Sequence, residues 1–155
     1  MEKVIFLDVD GVLNCDTSTS NCGPYIGIDN DKVKRLRRIV ESTGARIVLC
    51  SSWKDAWYCE PFKDDQSELA NYLDRKLKRE RLYIIGKTED DWHNRGAGIL
   101  KYVNMHPTIK QFIIIDDELF DYEQHTKLMK RLVKTNPHVG LQDDDVERAI
   151  VLLNE

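Results

Sequence analysis

Short apolar runs alternate along the chain with longer stretches in which apolar residues recur every three to four positions. Five runs have the length and composition of buried strands, at residues 3–8, 46–50, 82–85, 111–115 and 132–135. A strand in a parallel sheet is buried on both faces, so it reads as a continuous apolar run rather than as an alternation. The pattern therefore predicts an α/β fold with a five-stranded parallel sheet.

The longer stretches have the periodicity of amphipathic helices. The clearest one lies in residues 27–44, with an aspartate as N-cap candidate and Gly44 as its stop signal. The apolar residues of this clearest helix are Val33, Leu36, Ile39 and Val40. A weaker helix is expected in residues 122–131. The other helical stretches are recognised by apolar residues at three- and four-residue steps, which are Leu69, Leu73 and Leu77, Ile99, Leu100 and Val103, and in the C-terminal segment Val146, Ala149, Ile150 and Leu153.

Two stretches have no regular period. Residues 14–28, with Thr, Ser, Asn, Gly and Pro, predict a hairpin or flap directly after the first strand. Residues 53–65 form a second irregular segment that contains four aromatic residues. Because no linker or repeat divides the chain, residues 1–155 are expected to form a single domain with a short flap at about 14–28.

The composition narrows the class of protein. A net charge of −4 gives no global positive field for nucleic acid. Cys15, Cys22, Cys50 and Cys59 lack the spacing of a zinc site, and no signal peptide precedes the first strand, so we expect reduced thiols and a cytoplasmic location. No apolar run approaches the ~20 residues of a membrane span, and we expect a soluble protein with no membrane partner.

Acidic residues follow two of the predicted strands. Asp8 and Asp10 end the first, and Asp116, Asp117 and Glu118 follow the fourth. Parallel sheets bind ligands beyond the carboxyl ends of their strands, so the two clusters would meet if these strands are neighbours. Two carboxylates about 4 Å apart repel by about 4 kcal/mol at an effective dielectric of about 20, and an all-oxygen set suits Mg²⁺ as the compensating ion. Alternatively, each acidic pair caps a helix or lies in a solvated loop.

Several motifs resemble those of a known superfamily. "FLDVDGVLN" resembles the first motif of the haloacid dehalogenase (HAD) phosphohydrolases, "IVLCSS" the second and "FIIIDDE" the fourth, while Arg95 precedes the fourth where the superfamily places Lys or Arg. Through "SSW", "RGAGILKYV" and "GLQDDDVERAIVLL", nearly the whole chain is similar to the HAD domain of the Swiss Army Knife RNA repair proteins. The resemblance implies a Rossmann-like three-layer sandwich with strand order 5-4-1-2-3 and no large cap domain.

The resemblance also implies roles for the matching residues. Asp8 would be the nucleophile that forms an aspartyl-phosphate, and Asp10 would be the general acid and then the general base. Ser51, with Ser52 as the alternative, would bind the phosphoryl oxygens. Arg95 would balance the negative charge of the phosphoryl group and the nucleophile.

Metal ligands and substrate contacts follow from the same resemblance. The residues implied as Mg²⁺ ligands are Asp8, Asp10 (through its backbone carbonyl), Asp116 and Asp117. Residues i and i+2 of a strand project to the same side, so Asp8 and Asp10 can address one phosphorus. Gly11 allows a sharp turn and a close approach of the backbone to the phosphate. Asn14 either contacts the substrate or shapes this turn.

Together these features predict a Mg²⁺-dependent phosphatase, that is, a HAD-type phosphomonoester hydrolase acting on a phosphorylated substrate such as the 3′ or 5′ end of a nucleic acid. One alternative is a catalytically idle HAD-like module that binds nucleic acid or a protein partner. A response-regulator-like receiver is disfavoured, because it needs an aspartate after the third strand and this chain has "IIGK" there.

Trp53 either stacks on a base or sugar or belongs to the core. The basic runs "KVKRLRR" and "RKLKRERL" either bind a nucleic-acid backbone or form solvated helix faces.

Overall fold

A five-stranded parallel sheet forms the centre of the protein in the computed structural model, which describes residues 2–91 and 93–155. The seven strands are, in chain order, β1 (Glu2–Leu7), β2 (Asn21–Cys22), β3 (Tyr25–Ile26), β4 (Arg46–Leu49), β5 (Ile84–Lys87), β6 (Ile109–Asp116) and β7 (Leu132–Lys134). β2 and β3 form an antiparallel hairpin inside the predicted flap. The other five strands pair in parallel in the order β5-β4-β1-β6-β7.

The fold class agrees with the prediction. Numbered among themselves, the strands of the sheet run 3-2-1-4-5, which is 5-4-1-2-3 when read from the opposite edge. The strand numbers differ only because the hairpin contributes β2 and β3. β1 is the central strand, and β4 and β6 are its neighbours on either side.

In the described part of the chain, five helices and three short 3-10 turns lie between or after the strands. The helices are α1 (Asn30–Thr43), α2 (Glu68–Lys78), α3 (Arg95–Met105), α4 (Thr126–Met129) and α5 (Asp143–Asn154). The 3-10 turns span Ser52–Ala56, Phe62–Asp65 and Tyr122–Gln124. Within residues 2–91 and 93–155, no helix combines the length and apolar character that crossing a membrane requires.

The side chains of β1 alternate between two separate cores. Ile5 and Leu7 pack with the core that α1, α2 and α5 cover, whereas Val4 and Phe6 pack with the core that α3 and α4 cover. All four side chains are fully buried. Because both faces of the central strand are covered by helices, the domain has three layers, and its polar groups collect at the ends of the strands.

Some strand boundaries differ from the sequence-based ones. The third strand of the sheet occupies Ile84–Lys87 rather than residues 82–85, because the Leu82 N–H donates to the Leu77 carbonyl and closes the end of α2. β1 ends at Leu7, one residue earlier than predicted, and β4 likewise ends one residue earlier. Asp8 is therefore the first residue beyond the central strand.

The weak helix predicted in residues 122–131 is divided in two. His125 has an extended backbone, with φ of −127° and ψ of 93°, and this conformation interrupts the helical path. The result is a single 3-10 turn followed by the four-residue helix α4. The apolar spacing of the sequence did not reveal this break.

The ends of α1 connect the helix to the flap. Gly44 adopts the left-handed conformation, with φ of 72°, and ends the helix as predicted. Asp29 occupies the N-cap position, but its side chain makes no capping bond. Instead the carboxylate accepts hydrogen bonds from Ser18 and Ser20 in the flap and from Lys32 in the first turn. Asp29 thus fixes the flap against the helix.

Leu153→Ala is expected to lower the free energy of unfolding by about 2–5 kcal/mol, because Leu153 of α5 is fully buried in the core and truncation leaves a cavity there. Val151→Ala on the same helix truncates a side chain that is 61% exposed, and we expect a change below about 0.5 kcal/mol. Urea unfolding followed by circular dichroism measures both. Equal losses would contradict the docking of α5.

Candidate active site

β1 and β6 end side by side, and each delivers an acidic residue to the same edge of the sheet. Asp8 follows β1 directly, Asp116 is the last residue of β6, and Asp117 comes next. Each of these three residues offers a carboxylate oxygen that lies within 4.8 Å of the other two. Asp8 and Asp116 are buried, and Asp117 is half-buried. The pairing of β1 with β6 thus produces the carboxylate cluster that the sequence pattern predicted.

Arg95 lies against this cluster from the first turn of α3. One guanidinium nitrogen, Nη1, donates to Asp8 Oδ1 at 3.1 Å and to Asp116 Oδ2 at 2.9 Å. The guanidinium also lies 4.0 Å from the centre of the Phe120 ring, which covers it on one side. Arg95 therefore bridges the carboxylates that follow β1 and end β6, at the position where the resemblance implied a basic residue.

Asp121 holds the start of α3, and sequence reasoning missed it. Its buried carboxylate accepts hydrogen bonds from the backbone N–H groups of Gly96 at 2.5 Å and Ala97 at 3.0 Å. A Cβ at residue 96 would lie 2.9 Å from Asp121 Oδ1, so only glycine permits this approach. The negative charge stabilises the N-terminus of α3, and with it the position of Arg95. No local pattern links residue 121 to a helix that begins 26 residues earlier.

Tyr122 is a second group that the sequence did not reveal. Its side chain is fully buried, and its hydroxyl donates to Asp116 Oδ2 at 2.7 Å. The other oxygen, Asp116 Oδ1, accepts the Glu118 backbone N–H at 3.2 Å. Asp116 is thus bound at both oxygens and has a fixed orientation. The periodicity of the sequence indicated only that Tyr122 belonged to a weak helix.

Burial and mutual repulsion raise the pKa of two carboxyls in the cluster. For Asp8, burial is the largest cause and the charge of Asp116 adds to it, so its pKa lies well above the ordinary value although Arg95 opposes the shift. Burial, reinforced by Asp116, raises the pKa of Asp117 to about 6. Burial lowers the pKa of Arg95, but Cys50 and the two buried aspartates raise it more, and the guanidinium remains charged.

The cluster has the composition of a site for a hard divalent cation. Three carboxylates face one guanidinium, so negative charge is in excess. The raised pKa values of Asp8 and Asp117 show that the ionised carboxylates are disfavoured when no further cation is present. An all-oxygen set of this kind fits Mg²⁺. The residues that would hold the ion are Asp8, Asp116 and Asp117. Among the described residues, the Asp10 side chain is not part of this cluster.

Asp10 lies beside the cluster and is held by two side-chain donors. Its side chain is solvent-exposed, and its two carboxylate oxygens accept hydrogen bonds from Asn14 Nδ2 and Trp53 Nε1, both at 3.0 Å. Trp53 is 6% exposed and packs in the core. Of the two interpretations of Trp53 from the sequence, stacking on a base or a place in the core, the structure agrees with the second. Asn14 is 2% exposed and shapes the turn, while its amide makes three bonds within the chain.

Gly11 makes the sharp turn between β1 and the flap. Its φ of +79° lies in the left-handed region, and a Cβ there would collide with the Asp117 carboxylate. Thr135 donates to the Gly11 carbonyl at 2.8 Å, and the Gly11 N–H donates to Asn14 Oδ1 at 2.9 Å. Glycine is therefore required by both the backbone conformation and the close approach of Asp117.

A cavity of about 260 Å³ opens over the carboxylate cluster and the neighbouring Asp10 side chain. Asp8, Asp10, Arg95 and Asp117 line it, and so does Ser52. In contrast, Ser51 is 1% exposed, and its hydroxyl accepts the Trp53 backbone N–H at 3.2 Å. The two serines occupy one turn after β4, with Ser52 at the surface of the cavity and Ser51 buried next to it.

A buried ion pair forms another part of the cavity wall, which sequence reasoning did not anticipate. Lys54 Nζ donates to Asp90 Oδ2 at 2.7 Å, and both residues line the cavity. Lys87 Nζ donates to the backbone carbonyls of Lys54 and Trp57 and so fixes the 3-10 turn that carries Lys54. The wall therefore contains a second cation besides Arg95.

Comparison with known families gives a match over most of the chain. The family described as the HAD domain in Swiss Army Knife RNA repair proteins matches residues 4–146, a span that includes every residue of the site. No curated protein gives a match to this chain. The superfamily is of phosphohydrolase type, and the family description adds an RNA repair context. The chain therefore belongs to the family of HAD domains found in Swiss Army Knife RNA repair proteins.

Proposed function

We propose that this protein is a Mg²⁺-dependent phosphomonoesterase that works through an aspartyl-phosphate on Asp8. The proposal rests on one observation: the Asp8 carboxylate lines an open cavity while Arg95 binds it and two further aspartates adjoin it. An anionic nucleophile and an anionic phosphate repel each other, so the site must supply positive charge where they meet. Arg95 supplies part of that charge, and its contacts keep it beside Asp8.

Asp8, Asp116 and Asp117 would hold the Mg²⁺. When bound, the ion would offset the negative charge of the nucleophile and of the phosphoryl group. Tyr122 and Arg95 both donate to Asp116 Oδ2, so this carboxylate is oriented before any ion arrives. That preorganisation supports Asp116 as a ligand with a fixed position.

The chemistry proceeds in two steps. In the first, an oxygen of Asp8 attacks phosphorus, the bond from phosphorus to the ester oxygen breaks, and Asp10 donates its proton to the departing alkoxide. In the second, the ionised Asp10 removes a proton from water, and the resulting hydroxide attacks phosphorus, which releases inorganic phosphate and regenerates the Asp8 carboxylate. Asp10 ends the cycle protonated, as it began. Its exposed position at the cavity supports this exchange with substrate and water.

We assign the phosphoryl oxygens to the turn formed by Ser51 and Ser52, whereas Gly11 shapes the neighbouring turn, because its N–H and carbonyl are already bonded to Asn14 and Thr135. Ser52 lines the cavity, while the Ser51 hydroxyl is oriented by the Trp53 backbone N–H. Asn14 is assigned to holding the turn and the flap rather than to substrate binding, because it is buried and its amide bonds stay within the chain.

The proposed substrate is a phosphate at a nucleic-acid end. Its support is the RNA repair context of the family, so this part of the proposal rests on analogy. The regular structure of the flap of residues 14–28 is a hairpin of two two-residue strands, and the opening of the cavity supports access by a bulky end. The net charge of −4 gives no help to polyanion binding, so recognition would centre on the terminal phosphate.

Asp8→Asn is expected to reduce kcat/KM for p-nitrophenyl phosphate by at least about 1000-fold, because it removes the nucleophile and keeps the side-chain size. Asp64→Asn makes the same change at an exposed position outside the cavity and is expected to retain activity. Steady-state hydrolysis with Mg²⁺ present measures both. If wild type and Asp8→Asn behave alike on every phosphoester tried, the protein is the catalytically idle module.

The same assay with oligonucleotides tests the substrate class. Oligoribonucleotides carrying a 3′-phosphate or a 5′-phosphate should be dephosphorylated with higher kcat/KM than mononucleotides or phosphopeptides. Phosphate release without any preference for oligonucleotide ends would contradict the nucleic-acid part of the proposal and leave the phosphatase part intact.

Mg²⁺ is expected to stabilise the folded protein in the absence of substrate. At one hundred times its dissociation constant a ligand contributes about 2.7 kcal/mol, which for a domain of this size raises the unfolding midpoint by roughly 5–10 °C. Thermal unfolding at pH 8, above the Asp117 pKa of about 6, measures the shift with and without Mg²⁺.

Asp117→Asn provides the matched variant for the metal experiment. Removing one of three repelling carboxylates should stabilise the metal-free protein, while the loss of a ligand should reduce the Mg²⁺-induced shift by more than half. Asp64→Asn should keep the full shift. An identical shift in wild type and Asp117→Asn would show that Mg²⁺ does not bind at the cluster.

A further inference from the structure

We propose that Trp53 is a positioning residue that orients the Asp10 carboxylate toward the leaving group. This inference rests on the proposed function, because it assigns a partner to the residue that exchanges protons there. Trp53 Nε1 donates to Asp10 Oδ2 at 3.0 Å, and the indole is 6% exposed although the carboxylate it binds is exposed. The donor, Trp53, is thus fixed in the core, whereas the acceptor, Asp10, faces the cavity.

A carboxylate at the tip of an exposed turn would otherwise rotate about its side-chain bonds. Here Asn14 holds Asp10 Oδ1 and Trp53 holds Asp10 Oδ2, so both oxygens are fixed by donors that are themselves buried. A carboxyl group has about four lone-pair sites, and these two bonds occupy one on each oxygen. The remaining sites stay available for the proton that Asp10 transfers.

The indole is well suited to orient Asp10 without replacing it. Its N–H is only a donor and does not ionise at neutral pH, so Trp53 cannot itself serve as acid or base. It also connects Asp10 to the phosphate-binding turn, because the Trp53 backbone N–H donates to Ser51 Oγ at 3.2 Å. One residue thereby sets the distance between the proton donor and the proposed phosphate contacts.

A leaving-group comparison separates orientation of the acid from general stability. The phenolate released from phenyl phosphate needs a proton as it departs. The 2,4-dinitrophenolate released from 2,4-dinitrophenyl phosphate is a stable anion and does not. Trp53→Phe keeps the aromatic packing and removes the N–H. We expect it to lower kcat/KM for phenyl phosphate by about 10-fold and for 2,4-dinitrophenyl phosphate by less than about 3-fold, since misorientation loses part of a general-acid contribution of about 10²–10⁴-fold.

Trp57→Phe is the matched control. Trp57 is also buried, and its indole N–H donates to the Asp74 carboxylate at 3.0 Å, away from the Asp10 turn. This variant should change kcat/KM for the two substrates by the same factor. Circular dichroism compares the folding of all variants. If Trp53→Phe does not fold, Trp53 is replaced by 3-benzothienylalanine, which has the shape of tryptophan and no N–H. This variant should show the same larger loss of kcat/KM on phenyl phosphate than on 2,4-dinitrophenyl phosphate.

The outcomes distinguish this inference from the proposed function. Wild-type activity that is lost in Asp8→Asn, together with equal factors for both substrates in Trp53→Phe, would overturn the role of Trp53 alone. Wild type and Asp8→Asn that are equally inert would overturn the proposed function and this inference with it. A selective loss on phenyl phosphate in Trp53→Phe, absent in Trp57→Phe, supports it.

Discussion

The repulsion among the Asp8, Asp116 and Asp117 carboxylates is the constraint on which the rest of the arrangement depends. Two of them are buried, and burial together with the charge of Asp116 raises the pKa of Asp8 rather than stabilising the fold. Arg95 compensates part of this charge from α3, while Tyr122 and backbone donors orient Asp116. A domain has only about 5–15 kcal/mol of net stability, so an arrangement this costly indicates a function that needs it.

Much of the fold could be predicted, because buried parallel strands are continuous apolar runs and covering helices have a 3.6-residue period. The strand order and the meeting of Asp8 with Asp116 follow from that pattern together with the motif resemblance. Strand ends were less predictable, since Leu82 is apolar in either setting and only its bond to Leu77 assigns it to the end of α2. Local patterns do not encode such tertiary choices.

The groups that support the site were not predictable, for a similar reason. Asp121 binds the start of α3 from 25 residues away, and Lys54 pairs with Asp90 across 36 residues. Tyr122 binds Asp116 across only six residues, but an irregular turn rather than a regular element brings them together. A motif identifies residues that meet the substrate, because their types and spacing are set by chemistry. The residues that support the site are those whose side chains the tertiary fold places next to it, so packing rather than a local pattern determines their identity.

The hold of Asp121 on α3 has a consequence for how the protein matures. Asp8, Asp10 and the two serines all lie in the first third of the chain, whereas the countercharge on Arg95 depends on a carboxylate near residue 120. During synthesis from the N-terminus, Asp8 emerges long before Arg95 and Asp121. Chains that end before Asp121 therefore lack the carboxylate that holds the start of α3 and, with it, the position of Arg95.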